Sequence, residues 1–172
     1  MGVRQTTPVA DIRTVSKLSR IDYADAFLVD VASPHARSAE QWMRVILEDA
    51  PAVVRARLLS GWKSLGLRDA AEPSLLGWQI ADSAPDYVLL GRNSWIGMPG
   101  ELLLRRTERG LLFATFVRFG NPIVRMLWAA VKPTHVQTVA ALLEDAVRRL
   151  ARRLRISPGE AQRRIREAVG QP

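Results

Sequence analysis

Chemistry in this chain has few side chains to draw on. There is no cysteine and there are two histidines, His35 and His135. Disulfides, thiolate nucleophiles, thiolate zinc sites and iron–sulfur clusters are therefore excluded, and a histidine-rich metal site is not expected. Asp82 and Asp86 flank a turn and fit turn chemistry better than an acid–base pair. Glu48-Asp49 and Glu144-Asp145 read as helix-surface acids. No glycine-rich phosphate loop, nucleophile elbow or His-Glu-x-x-His motif occurs. No cofactor is expected.

His135 stays in play because Pro133-Thr134 with Gln137 spells a capping box. That places the imidazole in a first helical turn, where positive charge is disfavoured and a neutral ring would serve as base or donor. The competing reading is a capping-region histidine with no task. Arg92 lies in line with Val88 and Leu90, and Arg118 with Ala114 and Phe116, each on an otherwise apolar strand face. Such an arginine either meets a ligand carboxylate or phosphate or reaches past the strand end to water. Of the five tryptophans, Trp78, Trp95 and Trp128 fall on expected strands and Trp42 and Trp62 on expected helices. Core packing is the first reading for each and a pocket wall the second.

The elements that position these residues follow from periodicity. Residues 1–21 are polar and read as an irregular lead-in. Phe27, Val29 and Val31 alternate along a first strand. Ser38 with Gln41 caps a short helix carrying Trp42, Val45 and Ile46. A second helix restarts at Asp49 and Pro51, carries Val54, Leu58, Trp62 and Leu65, and ends at Gly66. Turn signals about every ten residues then predict a meander of five strands over 76–81, 87–96, 101–107, 111–119 and 123–131. Both strand faces are apolar, so the pattern leaves open which one points inward. From Val136 to Leu154 an apolar stripe predicts a helix of about 30 Å. Ser157-Pro158 signals a further short helix to Val169.

The net charge of +8 is uneven. Residues 148–167 hold eight arginines and two acids, a net +6, which leaves +2 for the rest. Arg148, Arg149, Arg152 and Arg153 are the candidates for a polyanion. Glu144–Arg148 and Asp145–Arg149 are favourable i,i+4 pairs, and a last helical turn suits cations. No aromatic follows residue 132 to stack bases, so nucleic acid is not expected; a solvated face is the first reading and weak contact with a membrane surface the second. The start carries no secretory signal, and no run approaches the ~18 apolar residues of a span. A cytoplasmic location is expected.

The order strand, two helices, meander, long helix resembles the helix-grip fold of the START-like (SRPBCC) superfamily, which includes polyketide cyclases and lipid-transfer domains. Asp22-Tyr23-Ala24-Asp25-Ala26-Phe27, Asn121-Pro122-Ile123-Val124-Arg125-Met126-Leu127-Trp128 and Val131-Lys132-Pro133-Thr134-His135 are similar to stretches of an uncharacterised bacterial family within it. The resemblance implies an α+β helix-grip domain over 22–154, with a curved antiparallel sheet of about six strands around a long C-terminal helix. Residues 155–172 would form a basic extension. It also implies a cavity between sheet and helix for an apolar small molecule, such as a lipid or polyketide. Trp78, Arg92, Trp95, Phe116, Arg118, Trp128 and His135 are the candidates to line it. Cyclase- or aromatase-like catalysis on such a ligand, or interaction through the arginine-rich segment, are the alternatives.

Overall fold

The computed structural model describes residues 2–8 and 10–169, with side chains through Arg153. The chain is α+β: seven antiparallel strands form one curled, open sheet against a long C-terminal helix. Strands β1 (Val3–Thr6), β2 (Tyr23–Asp30), β3 (Ser74–Leu75), β4 (Trp78–Ser83), β5 (Tyr87–Arg92), β6 (Gly100–Arg106) and β7 (Gly110–Val117) lie in the order β1-β2-β7-β6-β5-β4-β3. Helices are α1 (Ala10–Arg13), α2 (Ala39–Leu47), α3 (Ala52–Ser64) and α4 (Pro122–Val169). The arrangement is consistent with a helix grip.

Local chemistry sets several boundaries where the sequence places them. Ser38 Oγ accepts from Gln41 N at 3.2 Å and Gln41 Oε1 accepts from Ser38 N at 2.9 Å, the reciprocal cap that starts α2. Trp42 and Ile46 go into the core, and α3 ends two residues before Gly66, whose φ is +71°. Gly110 opens β7 for a packing reason. A Cβ there would stand 2.2 Å from the Val29 carbonyl oxygen across the ladder.

Two expectations are corrected. Residues 123–131, expected as a fifth meander strand, are the first turns of α4, so Trp128 sits on a helix. Asn121 Oδ1 accepts from Val124 N at 3.0 Å and Pro122 follows at the first helical position, a complete start signal. Val124, Trp128, Val139, Leu142, Leu143, Ala146 and Val147 are then buried on one stripe. Pro133 lies inside the helix on its exposed side. It forfeits one backbone bond, a loss offset by the packing of the turns before it. The helix also continues past Pro158, and the expected short helix there, like the extension 155–172, falls beyond the described side chains.

The second correction is at the N-terminus. Residues 3–6, expected as irregular, pair with Ala26–Val29 as an edge strand. Ile12 is buried, and Val15, Leu18 and Ile21 pack with it over Ala26, Leu89, Leu103, Ala114 and Phe116. Both faces of the sheet are therefore covered, and this explains why both are apolar. The inner face, carrying Phe27, Val88, Leu90, Leu104 and Phe113, meets α2 and α4; the outer face meets the lead-in. At about 25 cal/mol per Å2 of apolar area, each cover contributes to holding the sheet.

Candidate functional site

Alternate residues of β2 share the inner face, so Tyr23 and Asp25 stand in line with Phe27 and Val29. Across the ladder Asp25 pairs with Thr115 of β7, and Tyr23 pairs with Val117. Above them α4 presents Trp128, Lys132 and His135 at helical steps of four and three. His135 Nε2 donates to Asp25 Oδ2 at 2.9 Å, and Tyr23 Oη donates to the same oxygen at 2.8 Å. The ring centroids of Tyr23 and Trp128 are 4.9 Å apart, and those of Trp128 and His135 5.0 Å. Lys132 Nζ lies 5.6 Å from the Tyr23 ring centroid.

The electrostatics follow from burial. Asp25 is 3% exposed, yet one of its oxygens holds two donors. Burial first, and the Asp25 bond second, raise the Tyr23 phenol well above its ordinary range, so it stays a donor. With Nε2 turned to a buried carboxylate, His135 keeps Nδ1 as its second functional nitrogen. A carboxylate that fixes one imidazole nitrogen orients the other as a base or donor.

A second group occupies the same face three strands away, about 14 Å along the row Tyr23, Val117, Gly100, Arg92. Arg92 is 5% exposed; its Nε donates to the Arg68 carbonyl at 3.0 Å and its Nη2 pairs with the Asp69 carboxylate. Its guanidinium centre lies 5.1 Å from the Trp62 ring centroid and 5.5 Å from that of Trp78. Burial lowers the pKa of Arg92. Between the two groups Gly100 has no side chain, and the edge of Trp78 lies 3.7 Å from where its Cβ would be.

Seven buried side-chain polar atoms of the described residues have no hydrogen-bond partner. Five of them, Asp25 Oδ1, Thr115 Oγ1, Arg92 Nη1, Trp78 Nε1 and Trp128 Nε1, belong to these two neighbouring rows or to α4 above them. Buried polar groups are normally paired, so this concentration on one face is unusual.

Of the seven residues expected to line a cavity, four lie on this face but in two separate groups, Trp128 with His135 and Arg92 with Trp78. The other three do not. Phe116 is buried on the outer face beneath the lead-in, Arg118 lies past β7 with Nη1 3.4 Å from Ser19 Oγ, and Trp95 is 68% exposed in the loop after β5. His135 is thirteen residues into α4, so no helix terminus acts on its charge. Tyr23, Asp25 and Thr115 escaped the sequence reading of the site. The signal was there for Asp25, an acid in register with Tyr23, Phe27 and Val29 on one strand face.

Two cavities open among the described residues, and the larger shares Arg68, Asp69, Arg92 and Gly100 with the second group. One of about 530 Å3 lies on the outer face over Gln79, Gly91 and Glu101; the other, about 370 Å3, lies where β7 turns into α4. Among the described residues, three of the four candidate arginines for a polyanion are ion-paired. Arg148 is 3.8 Å from Glu144, Arg149 2.7 Å from Asp145, and Arg153 3.4 Å from Asp49, while Arg152 is exposed. No described helix is long and apolar enough to cross a membrane. No family model matches the chain, and searches of curated proteins and of solved structures return no match.

Proposed function

We propose that the protein binds an apolar small molecule with a polar head, such as a lipid or polyketide, between the inner face of the sheet and α4. The observation that carries this reading is the set of five unpartnered buried polar atoms among tryptophan and aliphatic side chains. An apolar lining with a few converging polar groups is what such ligands require. Asp25, Thr115 and His135 would meet a head group at one end, and Arg92 at the other. Native mass spectrometry of the purified protein, with solvent extraction, tests it. Co-purification of a stoichiometric apolar molecule is expected. An empty protein whose experimental density shows a fully packed interior beside His135 and Trp128 overturns it.

A cyclase-like reaction on the bound molecule is a second reading, favoured by the His135–Asp25 contact. His135 would take a proton at Nδ1 while Asp25 holds Nε2 and stabilises the imidazolium. Once a substrate is identified, turnover by His135→Ala decides. A fall of about 100-fold or more is expected for a general base; unchanged turnover removes the residue.

A further inference from the structure

Five large apolar side chains of the described residues are exposed, and three of them, Trp95 (68%), Ile123 (76%) and Met126 (75%), stand at one end of the molecule. The loop bearing Trp95 is fastened to the turn that starts α4. Gly120 N donates to the Gly97 carbonyl at 2.8 Å and Asn121 Nδ2 to the Ile96 carbonyl at 3.2 Å. The approach is so close that a Cβ on Gly120 would be 2.7 Å from the Gly97 oxygen. Three bulky side chains are thus held outward on a fixed frame. Folding gains nothing from displaying them there.

The same turn borders a cleft with two arginines in its wall. The cavity of about 370 Å3 is lined by Arg20, Arg125 and Phe119 with the Gly120–Pro122 turn. The Arg125 guanidinium lies 5.9 Å from the Phe119 ring centroid, and Arg20 Nη2 donates to the Phe119 carbonyl at 2.8 Å. Arg118 is anchored next to Arg20, beside Ser19. The acid at this end, Asp22, is already committed to Arg20 Nε and to Phe119 N, both at 2.7 Å. Arg125 is exposed and Arg118 is half-buried beside this apolar tip.

We infer that this end docks on an anionic membrane surface, with Trp95, Ile123 and Met126 entering the headgroup layer and Arg20 and Arg125 taking a lipid phosphate between them. An indole with two flexible aliphatic chains suits the interface, and a cationic rim supplies the attraction to acidic lipid. The basic cluster of residues 148–153 is mostly ion-paired and does not explain this tip. The inference is independent of the inner-face ligand, since neither group of residues belongs to the other.

The test is co-sedimentation of the full chain with vesicles of phosphatidylcholine alone and of phosphatidylcholine with phosphatidylglycerol, at low and high salt. Binding is expected only with the acidic lipid, weakening as salt rises. Trp95 emission should shift to the blue on binding, a change absent in Trp95→Phe. Arg20→Ala and Arg125→Ala should each lower vesicle affinity roughly fivefold, and Ile123→Ser with Met126→Ser should abolish it. Circular dichroism of each variant establishes that it is folded. No binding by the wild-type chain overturns the inference. So does binding that survives these substitutions but is lost in Arg152→Glu, which would place contact on the basic helix. A wild-type dimer insensitive to vesicles, made monomeric by the Ile123 and Met126 changes, overturns it in favour of self-association.

Discussion

Two carboxylates are equally buried in this protein, on opposite faces of one sheet, and they are treated differently. Asp25 and Glu101 are each 3% exposed. Glu101 faces outward, where Ser16 Oγ donates to Oε2 at 2.5 Å and Lys17 N to Oε1 at 2.9 Å. Both oxygens are used, and the partners are adjacent residues of the lead-in they fasten down. Asp25 crowds two donors, 112 positions apart along the chain, onto one oxygen and leaves the other without any. Its donors carry rings that pack edge-on or tilted against Trp128. A carboxylate that clips a local segment closes its hydrogen-bond accounts; one that leaves an oxygen open and orients an imidazole has capacity left over. The outer acid is thus a fastening, whereas the inner one keeps an oxygen without a partner.

That contrast can be broken. The largest effect expected is from Asp25→Ala, which leaves Tyr23 and His135 without their acceptor and should cost about 3 kcal/mol in urea unfolding. A loss below about 1 kcal/mol would mean the bonds are not formed. Glu101→Ala should cost about 2 kcal/mol and act locally. Hydrogen exchange should show lost protection around Lys17 and Leu18, with Tyr23 to Phe27 unchanged; loss over β2 would erase the distinction. Burial raises the Glu101 pKa above its ordinary value. Its protonated form is favoured in the fold, so the stabilisation is full below about pH 4.5 and declines as pH rises through the folded value.

Thr115→Val tests the open side of Asp25. With no protein partner for the hydroxyl, stability should stay level or rise by up to about 1 kcal/mol, while capture of the inner-face ligand weakens. A clear loss of stability would show the hydroxyl bonded within the fold. The smallest effect at neutrality is from the Tyr23 phenol. Because its folded pKa is raised, stability should be unaffected below about pH 10 and fall as pH climbs beyond it, and Tyr23→Phe should flatten that limb. An identical alkaline limb in the variant would remove Tyr23 from the account.

Much of the frame was legible because it is set locally. The Ser38–Gln41 cap, the alternation of Phe27, Val29 and Val31, and the turns between β4 and β7 each lie within a few residues of chain. The misreading at 123–131 has a physical cause. Eight of nine residues there are apolar, and a short continuous run does not reveal its period. Pro133 with Thr134 and Gln137 spells a helix start, whereas the start that forms is Asn121-Pro122, eleven residues earlier. A proline on the exposed side of a helix costs about 3 kcal/mol, which burying Val124, Trp128 and their neighbours offsets. The Arg92 reading was half visible, since its strand face was plain and its partners Asp69, Trp62 and Trp78 were not.

The sequence by itself determined the class of element at most positions, the absence of thiol chemistry, and the concentration of charge near the C-terminus. It also placed Tyr23 and Asp25 on one face of a strand. Which face that was depended on what covered each side of the sheet, and Ile12 and Leu18 settled it from a segment with no visible pattern. That His135 meets Asp25 depended on the register of a helix that begins at Pro122. Periodicity is a property of neighbours in the chain, whereas the meeting of an acid and an imidazole 110 residues apart is decided only when sheet and helix close on each other.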